Sequence, residues 1–412
     1  MQSLRLFRGA GSLRPCRINA TYLRPSLPLP SSCSQQRVYT SPPQNNNNNN
    51  NTDRLKGPVS TPSSPTMQTI KNTIAENLGK VVSNAHDLAP PEQRFALEET
   101  PDLTGKVAVV TGGSEGIGYG CTHTLLSHNI SKLFIISLSS DIATDAINAI
   151  KSEMGPEKAD RVEWLQCDLS DWTATAKTAF EIASKTDRLD ILINNAARGI
   201  MTYQIAKNGV DLHMALNCMG HVVLTSHLLP LLKKTAEKGE KVRIVQLGSN
   251  AHENAPKDTK FASLEELNND LGPMTQYGRS KLAVILYAKY LARHVSSSHP
   301  NILSNATHPG FVETRQSVDF IHEAYPLGGY AMSVGMAPFK KTQFEGCVST
   351  VFAATKTEGT GQYICPPAIV EKGSELANDD ELGERLMDLV TRTVKEKTKS
   401  ESVDKGCPFK TD

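Results

Sequence analysis

The 412-residue sequence lacks any run of the ~18 consecutive apolar residues that a membrane-spanning helix needs. Cysteine is sparse, eight residues from Cys16 to Cys407, with no C-x-x-C and no Cys/His grouping at zinc spacing. That argues for a reduced compartment and against a structural metal. Net charge is almost missing, since 44 Lys and Arg face 43 Asp and Glu. The balance conceals a local lack of acids: residues 1–66 hold seven Arg and one Lys against Asp53 alone. With that +7 removed, the other 346 residues carry 36 bases against 42 acids, or −6. A mildly acidic remainder argues against a nucleic-acid footprint. What is present, 39% hydrophobic and 21% charged residues, suits a soluble chain with a buried core.

Before Asp53, Arg5, Arg8, Arg14, Arg17, Arg24 and Arg37 are scattered among Ser, Leu and Pro with no acid. This is the composition of a mitochondrial transit peptide, and the absence of a 7–15-residue apolar core excludes a secretory signal. Asn45–Asn51 and the Pro/Ser/Thr stretch that follows cannot offset their ordering entropy, so 1–66 reads as a disordered tail. Cytoplasmic expression from a start at Met67 is the alternative. Ile70, Ile74, Leu78 and Val81 at helical spacing predict an N-terminal helical arm over 67–100, and 396–412 reads as a C-terminal tail.

From Gly105 the pattern alternates. Short β-branched runs predict strands over 106–111, 133–136, 162–167, 191–193, 242–247 and 302–308, separated by helix-length segments. That rhythm predicts one α/β domain over 101–395, a single Rossmann-type, doubly wound parallel sheet with helices on both faces. The first strand runs straight into Thr111-Gly112-x-x-x-Gly116-Ile117-Gly118, and a strand, a glycine turn and a helix N-terminus make a cradle for a pyrophosphate.

At these residues the sequence resembles the short-chain dehydrogenase/reductase superfamily. Further matches follow in that family's order: Asp168-Leu169, Asn194-Asn195-Ala196-Ala197 (Ala197 where Gly is usual), Asn217, Ser249, Tyr277-x-x-x-Lys281 and His308-Pro309-Gly310-Phe311-Val312-Glu313-Thr314. Within it, the stretches Leu216–Thr225, Arg243–Ser249 and Glu381–Leu386 are most similar to retinol-dehydrogenase-like proteins and the oxidoreductase part of the WW-domain-containing oxidoreductase. The resemblance implies a catalytic set of Asn217, Ser249, Tyr277 and Lys281. It implies cofactor contacts from Gly112, Ser114, Glu115, Gly116, Ile117, Gly118, Ser137, Ser139, Asp168, Leu169, Asn195, Ala196, Ala197, Tyr277, Lys281, Pro309, Gly310, Val312 and Thr314. His221 and His252 are read as packing or capping residues.

The chemistry of the Tyr277/Lys281 pair stands without the family. Residues i and i+4 share a helix face, and a nearby cation favours phenolate over a phenol whose ordinary pKa is about 10. Tyr277 is then a general acid for carbonyl reduction or a general base for alcohol oxidation. Ser249 would hydrogen-bond the substrate oxygen where charge develops, and Asn217 would hold a water in a proton relay. At the end of the second strand, Ser137-Leu138-Ser139-Ser140-Asp141 offers neither the acid of an NAD site nor the base of an NADP site. The resemblance favours NADP(H) over NAD(H), weakly, while Glu115 counts against a 2′-phosphate.

The expected activity is hydride exchange between nicotinamide and a bulky apolar carbonyl or alcohol, of retinoid, steroid or lipid-aldehyde type, with no metal. Substrate walls are expected from 253–276 and 315–345. Two alternatives remain: a 3-oxoacyl-thioester reductase of mitochondrial lipid synthesis, and a non-catalytic NADP-sensing protein. Expected partners are a small-molecule substrate, no nucleic acid and no integral membrane segment, with a homodimer left open.

Overall fold

The β-branched run Val107–Thr111 forms β1 and is buried along its whole length, as a strand covered on both faces must be. The computed structural model describes residues 94–310, 312 and 342–398. The expected leader over 1–66, the arm as far as residue 93, Thr314, the wall over 315–341 and the tail beyond 398 lie outside the described residues. The chain divides into two units, 1–66 and 67–412, and everything described belongs to the second.

Around β1 are assembled β2 (Lys132–Ser137), β3 (Val162–Gln166), β4 (Ile191–Asn194), β5 (Val242–Leu247), β6 (Ile302–Thr307), β7 (Tyr363–Cys365) and β8 (Ile369–Glu371). Their order is 3-2-1-4-5-6-7-8. All neighbours pair in parallel except β7 and β8, where Ile364 faces Val370. The doubly wound parallel sheet read from the sequence is the architecture found, with one antiparallel edge strand added. Three residues are too short to show a period, which is why β8 left no signal.

The connecting helices are α1 (Gly116–Ser127), α2 (Ser140–Met154), α3 (Trp172–Lys185), α4 (His221–Ala236), α5 (Pro273–Leu291), α6 (Gln343–Thr355) and α7 (Asp380–Lys397). Because strand side chains alternate, the sheet feeds two cores. Val110, Ile135, Ile193 and Val245 pack under α1, α2 and α6. Val109, Phe134, Leu192 and Ile244 pack under α3, α4, α5 and α7. A π-helix, Met214–Gly220, leads into α4. The joined stretch Met214–Ala236 is long and apolar enough to cross a membrane, but 78% of its apolar window is buried in the domain, as a core helix should be.

β1 and β4 are adjacent, while the chain leaves them towards opposite edges of the sheet. Such a switch point opens a crevice at the carboxyl ends of the strands, where ligands of open α/β sheets bind. The glycine turn after β1, Asn195–Ala197 after β4 and Ser249 after β5 lie at those carboxyl ends.

Candidate active site

The glycine turn needs its glycines. Gly112 and Gly116 hold φ of +63° and +54°, and a Cβ on Gly118 would stand 2.0 Å from the Gly112 carbonyl oxygen. Glu115 occupies the N-cap of α1 without a side-chain capping bond, so the first N–H groups of the helix face the crevice free of a cap. In contrast, α2, α3 and α7 are capped by Ser139, Asp171 and Asp379. This cradle fits a pyrophosphate. Thr111 Oγ1 accepts the backbone N–H groups of Asn195 and Ala196, each at 2.9 Å, and Asn195 Nδ2 donates to the Thr111 carbonyl at 2.8 Å. These bonds tie β1 to the segment after β4.

Other expected cofactor residues line the same rim. Ser114 is buried in the turn, Pro309 and Gly310 follow β6, and Val312 packs on α6 at Gly346, beside Ile117. Leu169 is buried, whereas the Asp168 carboxylate accepts both N–H and O–H of Ser170. Ala197 is half-buried in the segment after β4. At the end of β2, Ser137 Oγ accepts the Trp164 indole N–H at 2.9 Å, and Ser139 Oγ caps α2 by accepting from Ile142 N. Both serines thus use one lone pair in the fold and can still donate the O–H.

The four catalytic candidates converge. Tyr277 and Lys281 sit one turn apart on α5, with Lys281 Nζ 5.6 Å from the Tyr277 ring centre. Lys281 is 2% exposed and donates to the Leu247 carbonyl at 2.7 Å. Ser249 caps the turn after β5 and hydrogen-bonds the Tyr277 phenol. Asn217 lies in the π-helix, a distortion that often marks a functional site. Its amide donates to Arg198 O at 3.1 Å and Ser280 Oγ at 3.0 Å, and its side-chain oxygen accepts Arg198 N–H at 2.8 Å.

Helix spacing alone places only a cation beside the Tyr277 phenol. The structure adds burial, which acts on both groups and outweighs it. Burial pushes the Tyr277 phenol up to about 12, opposed by the Ser249 hydrogen bond, and holds Lys281 down at about 7. In the unliganded protein the pair is thus a neutral phenol beside an ammonium poised near neutrality.

Sequence reasoning missed a polar cluster beside Tyr277. The Asp211 carboxylate, fully buried, accepts Gln276 Nε2 at 2.8 Å and Met214 N–H at 3.0 Å, and burial lifts it to about 6. Arg279, 1% exposed, donates to the Glu266 and Leu267 carbonyls at 2.7 and 2.5 Å. The Glu266 carboxylate in turn accepts the N–H groups of Lys260, Phe261 and Ala262. The 253–276 insertion is thereby fastened to the helix that carries Tyr277. His213 stands edge-on to the Tyr277 ring, 6.2 Å between centres, and donates its Nε2–H to Gly199 O at 2.8 Å. No spacing links these residues in sequence. His252 does cap, with Nδ1 on Ser249 O and Nε2 accepting Ser374 N–H.

Known proteins resemble this chain over much of its length. The family model described as short chain dehydrogenase matches residues 106–323. A Neurospora crassa protein described as "Putative oxidoreductase bli-4, mitochondrial" is 56% identical, over 83% of this chain and 83% of its own length. The short chain dehydrogenase/reductase dpchH of Colletotrichum higginsianum is 33% identical over 72% of this chain and 77% of its own. Polyprenol dehydrogenase of Danio rerio is 29% identical, covering 71% and 87%. A crystal structure of a Mycobacterium paratuberculosis protein shares the fold, with TM-score 0.57 at 22% identity over 73% of this chain and 98% of that one.

Proposed function

The chain belongs to the short-chain dehydrogenase/reductase family, and from that premise we propose a mitochondrial, NADP(H)-preferring enzyme that interconverts bulky apolar carbonyls and alcohols through Tyr277. As a family member it is an oxidoreductase that uses a nicotinamide cofactor on alcohol or carbonyl groups. The observation that carries the finer reading is the Tyr277 phenol, hydrogen-bonded to Ser249 and one helical turn from buried Lys281.

The bound nicotinamide would supply or accept the hydride. Tyr277 then donates its proton to the carbonyl oxygen in reduction and takes it back in oxidation. Ser249 donates a hydrogen bond where negative charge develops on that oxygen. Lys281, held near 7, exchanges a proton with water at working pH and, when charged, favours the phenolate. Both amide protons of Asn217 are engaged, so a relay water would sit on its main-chain carbonyl, sharing that oxygen with the His221 ring nitrogen 3.0 Å away.

NADP(H) is favoured because β2 ends on Ser137 rather than on an acid, with the α2 N-terminus and the Ser139 hydroxyl beside it. The wall over 253–276 is held rigid by Arg279 and Glu266, and the similarity to polyprenol dehydrogenase supports an apolar substrate. Mitochondrial residence rests on the acid-free, arginine-rich stretch before Asp53 and on the likeness to the Neurospora protein. The domain is proposed to span 101–395, preceded by a leader over 1–66. The test is cofactor oxidation with purified protein across aldehydes, ketones and 3-oxoacyl thioesters of increasing apolar length. Turnover of long apolar aldehydes or ketones with NADPH is expected. Preference for thioesters would move the reading to a lipid-synthesis reductase, and NADPH binding without any turnover would overturn the enzyme reading.

A further inference from the structure

A buried imidazole ring joins Asn217 to Thr111 at the head of the glycine turn. His221, the first residue of α4, is 2% exposed. Its Nδ1 lies 3.0 Å from the Asn217 carbonyl oxygen, and its Nε2 lies 2.9 Å from Thr111 Oγ1. The proton positions follow from what each partner can do. A carbonyl oxygen only accepts, so Nδ1 carries the ring proton. Nε2 is then a bare acceptor and receives the Thr111 O–H. The two lone pairs of Thr111 Oγ1 are taken by the N–H groups of Asn195 and Ala196, both at 2.9 Å. The Thr111 O–H has the Ile193 carbonyl as a second acceptor at 3.5 Å, but the ring nitrogen at 2.9 Å is the closer one. Reversing the tautomer would set the Nδ1 lone pair against Asn217 O and press a third donor on Thr111 Oγ1. Burial keeps the ring neutral, with its pKa held down at about 4, so no second proton disturbs the arrangement at working pH.

We infer that His221 is a positioning residue, which fixes the Asn217 carbonyl of the π-helix and the Asn195–Ala196 segment in one register through Thr111. The inference rests on the proposed role of Asn217. The Asn217 side chain is committed to Arg198 and Ser280, so it does not orient its own carbonyl. The ring supplies that orientation from the far side. It also makes the geometry of the proton relay depend on the strand that ends in the glycine turn.

The experiment compares wild type, His221→Phe, His221→Gln and Thr111→Ser, with the double variant Thr111→Val/His221→Phe set against Thr111→Val. The readouts are kcat, the solvent deuterium isotope effect and NADPH affinity by fluorescence. In His221→Phe, kcat is expected to fall about tenfold and the solvent isotope effect to rise, while NADPH affinity stays within about twofold. His221→Gln, which keeps one donor and one acceptor, should recover most of the rate, and Thr111→Ser should resemble wild type. Adding His221→Phe to Thr111→Val should cost little more than Thr111→Val alone. Nitrogen-15 spectra of the histidines should show His221 neutral and protonated on Nδ1 between pH 6 and 8. An unchanged rate and isotope effect in His221→Phe, additive losses, or a ring protonated on Nε2 would each overturn the inference. Absence of turnover in the wild type would instead overturn the proposed function, and the inference with it.

Discussion

Lys281 is buried to 2% exposure with a neutral carbonyl, Leu247 O, as its hydrogen-bond partner, and burial holds its pKa down at about 7 against the ordinary lysine value of 10.5. The folded-state value lies below the unfolded one. Between the two values the unfolded chain therefore binds more protons, and stability must rise with pH across that window. Taking 10.5 and 7, the linkage relation gives a gain of about 2 kcal/mol between pH 7 and pH 9 from this residue alone. Lys281→Met keeps the length and removes the charge, so the variant should lose that gain. Urea unfolding of both apoproteins at pH 7, 8 and 9 isolates it, because other titrating groups cancel in the difference. A bound cofactor held by the glycine turn and Lys281 would bring negative charge and hydroxyl groups to the ammonium and raise its pKa. Calorimetry at pH 8 in two buffers of different ionisation enthalpy should then register uptake of most of a proton by wild type and none by Lys281→Met. A pH-independent stability difference, or equal proton uptake by the two proteins, would refute the claim that burial controls this lysine.

Gly118→Ala would place a Cβ 2.0 Å from Gly112 O, forcing the turn to shift, and NADPH affinity by fluorescence should drop at least tenfold while the fold is kept. Ser139→Arg adds a charged donor where two hydroxyls now stand, so an NADPH over NADH preference in kcat/KM, expected below about a hundredfold in wild type, should increase. The same change removes the α2 cap and should cost about 1 kcal/mol in unfolding. Arg279→Met leaves two carbonyls without their donor and removes the positive charge near buried Asp211, a loss of about 1–3 kcal/mol for each carbonyl left unsatisfied. Because the Asp211 pKa is raised to about 6, its ionisation opposes folding as pH rises through that value, and the thermal-denaturation deficit should narrow at pH 5.

Much of the fold was legible because its strands are short, β-branched and buried on both faces. Val107–Thr111 and Val242–Leu247 announce themselves by composition, and the glycine turn by spacing that only one backbone geometry requires. Tyr277 and Lys281 were legible as a pair because i and i+4 share a helix face, which holds before any tertiary contact forms. Their protonation was not, since burial comes from β5 and the turn after it, far away in sequence. The Asp211, Gln276 and Arg279 cluster was invisible for the same reason: 65 residues separate Asp211 from Gln276. The π-helix at Met214–Gly220 has the composition of an ordinary helix, and its extra residue per turn is imposed by packing.

The most direct test of the central claim is Tyr277→Phe. The ring keeps its packing against Lys281 and His213, and only the phenol oxygen and its bond to Ser249 are lost. With NADPH and an apolar aldehyde or ketone, kcat should fall by roughly 10²–10⁴, a barrier increase of about 3–5 kcal/mol, while NADPH affinity stays within about twofold. Turnover at the wild-type rate would contradict Tyr277 as the proton donor and remove the basis of the proposed mechanism.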